Sequence, residues 1–132
     1  MPHIKLPIKS VAVVQAGRYS AIGVWIAVTL IALFPGGHAT MATFQWGDKI
    51  EHFLAFGVLA FLFSVFWAVS RGRLALLLLV YGCGIELFQM YIPGHLASFF
   101  DILADLVGIG SGLLALAILE RMTMAAGIKQ TD

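Results

Sequence analysis

The sequence predicts an all-α, polytopic membrane protein: four transmembrane helices in a compact bundle, with both termini on the cytoplasmic side. Three observations predict it. Hydrophobic residues make up 61% of the 132 residues and charged ones only 11%, far from the balance of a chain that folds in water. The apolar residues are gathered into four runs, each near the roughly 20 residues that a helix needs to cross the hydrocarbon core. The basic residues lie in ones and twos outside those runs, nearly all on one side of them. The spans are expected at about 16–34, 50–69, 74–92 and 100–119, within one domain covering 1–132.

The first run, Tyr19 to Phe34, is slightly short for a span and lengthens backwards through Val11 to Ala16 if Arg18 snorkels to the interface. Pro35, Gly36 and Gly37 then end it. A basic start, an apolar run and small residues from Gly37 to Ala42 also fit a signal peptide, but the run exceeds the roughly 7–15 residues of a signal core. The second run begins near Asp48 and is uncharged from Phe53 to Val69, after which Ser70, Arg71, Gly72 and Arg73 form a basic turn. The third, Leu74 to Ile92, is interrupted by Glu86 and Gln89 in its last two turns and stopped by Pro93 and Gly94. The fourth starts near Ser98, carries Asp101 and Asp105 in its opening turns, and leaves the membrane at Glu120 and Arg121.

Orientation follows from the cations. Lys5, Lys9 and Arg18 precede the first span, Arg71 and Arg73 separate the second from the third, and Arg121 and Lys129 follow the fourth. Only Lys49 lies on the opposite side, so the positive-inside bias puts both termini in the cytoplasm. Trp46 and Tyr91 then fall at the outer interface and Tyr19 and Trp67 at the inner one, as aromatic belts require. A formal net charge of +1 without a basic patch argues against nucleic acid as a partner. The single cysteine, Cys83, has no internal disulfide partner.

With that topology, the polar residues gather at the outer end. Asp48, Lys49 and His52 open the second helix, with Asp48 expected as its N-cap. Glu86 and Gln89 close the third; His95, Ser98, Asp101 and Asp105 belong to the last connection and the start of the fourth. Ionisable groups in membrane spans are costly and are functional candidates by default. Ser98, Asp101, Asp105, Gly108 and Gly112 advance by three, four, three and four residues, so they share one helix face. The Gly108-x-x-x-Gly112 part has the small-residue spacing that lets membrane helices approach closely, which would turn the carboxylates inward. Two carboxylates as near as Asp101 and Asp105 resist simultaneous ionisation, so Asp105 is expected to be paired or to hold a proton.

Asp48-Lys49-x-x-His52, then Glu86-x-x-Gln89, then a short turn to Ser98-x-x-Asp101 and Gly108-x-x-x-Gly112, resembles the VanZ-like family of small bacterial membrane proteins over about residues 46–112. The resemblance implies a multi-pass protein of the bacterial plasma membrane in a cell-envelope context. Some relatives are linked to resistance against the glycopeptide teicoplanin, which the resemblance does not extend to this chain. The family usually has Arg in the turn where His95 stands here, and Asn where Asp105 stands, so this site is the more acidic.

Position and resemblance together suggest a site that binds an amphiphilic or lipid-linked envelope molecule at the outer leaflet. Its head group would be held by Lys49, His52, Glu86, Gln89, His95, Ser98, Asp101 and Asp105. A transferase or hydrolase acting on a lipid head group is the catalytic version, with Glu86, Asp101 or His52 as general base. The sequence has no nucleophile with its base at a diagnostic spacing, which weighs against an enzyme. No cofactor is identified, but His52, Glu86, Asp101 and Asp105 suit a divalent metal. A small transporter would need polar groups towards the inner side too. Partnership with an envelope enzyme, or a homo-oligomer, is the remaining expectation.

Overall fold

The structure, a computed structural model, describes residues 10–34, 46–93 and 98–128. It contains four helices, α1 (Val11–Leu33), α2 (Gly47–Phe66), α3 (Arg71–Gln89) and α4 (Phe99–Ile128), and no strand among the described residues. All four are long and apolar enough to cross a membrane.

Each helix begins before its expected span, while α1, α2 and α3 end one to three residues short of theirs and α4 alone runs past its end, because hydropathy marks where the membrane ends and backbone hydrogen bonding marks where the helix does. α1 begins at Val11 rather than 16, which leaves Arg18 two turns inside it. Arg18 is held there by the end of α2: its Nε donates to the Phe66 carbonyl at 3.0 Å, and its guanidinium lies 5.6 Å from the Trp67 ring centroid. The carbonyls of a helix C-terminus lack intrahelical partners and favour a cation. α3 starts at Arg71 rather than 74, because extended Ser70 supplies the carbonyl that accepts from Leu74 N–H at 2.9 Å, making the basic turn the first turn of the helix. α4 continues past 119 to Ile128, and Glu120 on it pairs with Arg71. Asp48 is not an N-cap: Trp46 holds that position, and Asp48 lies in the first turn of α2, where its Oδ1 accepts from Lys49 N–H at 2.8 Å.

The most extensive helix contact is between α2 and α4, with α1 packed on α2 and α3. Glycines make the α2–α4 approach close. A Cβ on Gly108 would overlap the Phe53 carbonyl oxygen, and one on Gly112 the Gly57 carbonyl oxygen. This is the backbone-to-backbone packing that small residues permit. The buried core includes Phe56, Leu59 and Ala60 of α2, Leu74, Leu78 and Ile85 of α3, and Ile109 of α4. Leu76, Leu77, Val80, Val107 and Leu114 point outwards, exposed, as lipid-facing positions should. The short links 67–70 and 90–98 make α2, α3 and α4 successive antiparallel neighbours. The start of α2, the end of α3 and the start of α4 therefore meet at one end of the bundle.

Candidate functional site

At that end, α2 contributes His52, α3 contributes Glu86, and α4 contributes Asp101 and Asp105, all buried, with Asp105 at 0% exposure and Glu86 at 4%. His52 lies one turn above Phe56, and the two rings are stacked with planes within 3° of each other. His52 Nδ1 and Asp105 Oδ1 are hydrogen-bonded at 2.8 Å, so the expectation that Asp105 is paired is met, by a residue on another helix. The other ring nitrogen, Nε2, faces Glu86 Oε1 at 3.7 Å, beyond hydrogen-bonding reach. Glu86 is anchored by its second oxygen: Oε2 accepts from Ser98 N–H at 3.0 Å, at the first turn of α4. Lys49 closes the cluster, its Nζ donating to Asp48 Oδ2 at 2.8 Å and to Asp101 Oδ1 at 3.0 Å.

Two buried carboxylate oxygens, Glu86 Oε1 and Asp105 Oδ2, have no hydrogen-bond partner among the described residues. Leaving a buried acceptor unmade costs about 1–3 kcal/mol, more when it is charged. One donor atom from each of His52, Glu86 and Asp101 lies within 4.8 Å of the other two. The arrangement offers one imidazole nitrogen and a surplus of carboxylate oxygens to anything that enters. Among the described residues, Lys49 is the one lysine or arginine side chain in contact with the cluster.

Not every proposed residue joins this cluster. Gln89 is buried but turned towards α1, where its Nε2 donates to the Ala32 carbonyl at 2.9 Å. Ser98 acts mainly through its backbone; its hydroxyl oxygen accepts from Phe100 N–H at 3.2 Å and caps α4. His95 lies outside the described residues. Sequence reasoning missed Gly82, on the face of α3 that meets Asp105: a Cβ there would overlap Asp105 Oδ2 and stand 3.1 Å from the Phe56 ring. Glycine is common in membrane helices, so its presence between Tyr81 and Cys83 carried no signal by itself.

The fold and the site together define a four-span helical membrane protein with a buried, acid-rich, histidine-containing site at one end of its bundle. The family model described as VanZ/LLP1 matches residues 7–120, a stretch that contains every residue of the site. The chain belongs to the VanZ-like family. No curated protein and no solved structure matches it.

Proposed function

We propose that this protein holds the head group of an amphiphilic, lipid-linked envelope molecule in the His52–Glu86–Asp101–Asp105 cluster, reached from the extracytoplasmic leaflet of the bacterial plasma membrane. The observation that carries the reading is Glu86 Oε1, without a hydrogen-bond partner among the described residues and buried inside a membrane bundle, where a neutral glutamine would tie the helices at less desolvation cost. A retained acceptor of this kind suits a ligand that brings its own donors or cation.

Two further features support it. An apolar groove of about 270 Å³ lies between α2 and α4, bounded by Phe53, Leu54, Val58, Phe61, Ser111 and Ala115. It starts at the depth of Phe53, next to His52, and runs towards the middle of the bundle, so an acyl or prenyl chain along it would leave its head group at the level of the cluster. The basic residues outside the spans favour an orientation with the cluster on the outer side. The side-chain hydroxyl of Ser98 is engaged with Phe100 N–H, which favours binding over a serine-based reaction.

Native mass spectrometry of the protein released from gentle detergent tests this, with wild type beside Glu86→Gln and Asp101→Asn. These substitutions keep side-chain size and remove one charge each. A lipid-linked species retained by wild type and lost by both folded variants is expected. Equal retention by all three, or no retained species in wild type, refutes the proposal.

A further inference from the structure

We infer that the cluster is a divalent-cation site: His52 Nε2, Glu86 Oε1 and a carboxylate oxygen of Asp101 ligate one first-row ion of the Zn²⁺ or Mn²⁺ type, with Asp105 orienting the imidazole from behind. The remaining coordination positions take an anionic oxygen of the head group. That last clause rests on the function proposed above, while the ion site itself does not.

The geometry supports each part. A metal-binding histidine characteristically gives its other ring N–H to a carboxylate, which fixes the tautomer and aims the free nitrogen. His52 has this arrangement: Nδ1 is held by Asp105 Oδ1 at 2.8 Å, leaving Nε2 to face Glu86. Glu86 is similarly fixed through Oε2 by Ser98 N–H, so that its other oxygen, Oε1, is buried, without a partner among the described residues, and faces His52 Nε2. Nε2 and Glu86 Oε1 stand 3.7 Å apart, facing each other without a hydrogen bond between them. Two ligand atoms sharing an ion at about 2.1 Å, and 3.7 Å apart, subtend an angle of about 120° at it, within the range of a four- or five-coordinate site.

The third donor comes from Asp101, and the full set lies within 4.8 Å. Atoms bound to one such ion are at most about 4.2 Å apart, so the widest-spaced pair of donors closes by up to about 0.6 Å when the ion binds. The mixed set of one imidazole and two carboxylates selects the class of ion: sites for Ca²⁺ and Mg²⁺ are built from oxygen, and soft ions prefer sulfur. Charge points the same way. Glu86, Asp101 and Asp105 share the buried end with Lys49, which pairs with Asp101 and the more exposed Asp48, and a dication reduces the remaining excess of carboxylates. It also gives an acid-rich pocket the means to attract a phosphate-type head group that its own carboxylates would repel.

The test begins with chelator-stripped wild-type protein in detergent, titrated calorimetrically with Zn²⁺ alone and with Mn²⁺ alone. One equivalent of at least one of these ions per chain is expected. Glu86→Gln and Asp101→Asn should abolish saturable binding, and Asp105→Asn, which leaves all three ligands in place, should weaken it about 10- to 100-fold. Substoichiometric or non-saturable binding of both ions to wild type overturns the inference whatever the variants do, and so does undiminished binding by folded Glu86→Gln. Lipid retention is recorded on the same wild-type samples, loaded and stripped. Lipid retained without any metal site overturns the ion and leaves the head-group reading standing. A stoichiometric ion with no lipid upholds the ion and overturns the head-group reading.

Discussion

Adding one methyl group at Gly108 should loosen the whole α2–α4 contact, and with it the site. The Cβ of Gly108→Ala would stand 2.3 Å from the Phe53 carbonyl oxygen and 3.1 Å from both the Phe53 carbonyl carbon and the Gly57 nitrogen. All three are backbone atoms, so no side-chain rotation relieves the overlap, and the helices must separate by roughly an ångström to restore van der Waals spacing. Overpacking of this kind costs about 1–3 kcal/mol. Gly110, two residues along the same helix, has nothing within 4 Å of its Cβ position, so Gly110→Ala meets no obstacle and gains up to about 1 kcal/mol in helix propensity. The two variants should thus differ by about 1–4 kcal/mol in reversible unfolding in mixed micelles, followed by the fluorescence of Trp25, Trp46 and Trp67. Equal stability of the two would refute the close approach of α2 and α4.

Gly82→Ala should destabilise the protein by about 1–3 kcal/mol, because its Cβ meets Asp105 Oδ2 and the Phe56 ring. The penalty should shrink by about 1 kcal/mol when Asp105→Ala is also present, as a double-mutant cycle on the same unfolding assay will show; purely additive effects would exclude a Gly82–Asp105 contact. For orientation, a Cys83→Ala background carrying Tyr91→Cys should react with an impermeant maleimide from the outside of spheroplasts, whereas Arg73→Cys should react only in everted vesicles. The reverse pattern would place the site on the cytoplasmic side.

The four spans were legible because length and hydropathy are strong signals in a chain that must fold in lipid. Their ends were less so. Glu120 and Arg121 mark where α4 leaves the apolar layer, but neither breaks a helix, and Glu120 gains Arg71 as a partner there. Within the site, His52, Glu86, Asp101 and Asp105 announced themselves by their cost in a membrane span. Gln89 shows the limit of spacing arguments: a residue three positions from Glu86 is turned about 60° around the helix. At the end of α3 that rotation separates a side chain facing α2 and α4 from one that reaches the Ala32 carbonyl of α1. Gly82 was silent because the feature that matters is the side chain it lacks, and that shows only when Asp105 is placed opposite.

The seam on α4 joins packing to chemistry. Gly108 and Gly112 bring its backbone onto that of α2, and one turn earlier the same face presents Asp105. So close an approach leaves room for the single methylene of an aspartate, which places its carboxylate on His52 of α2 at 2.8 Å. α3 packs less extensively against these two helices, and there the acid is Glu86, whose longer arm is steadied by Ser98 N–H. The aspartate of α4 and the glutamate of α3 bring carboxylate oxygens to 2.8 Å and 3.7 Å from the two nitrogens of one imidazole. The glycines therefore set the geometry of the site as directly as its ionisable residues do, and a perturbation deep in the α2–α4 seam should be felt at His52.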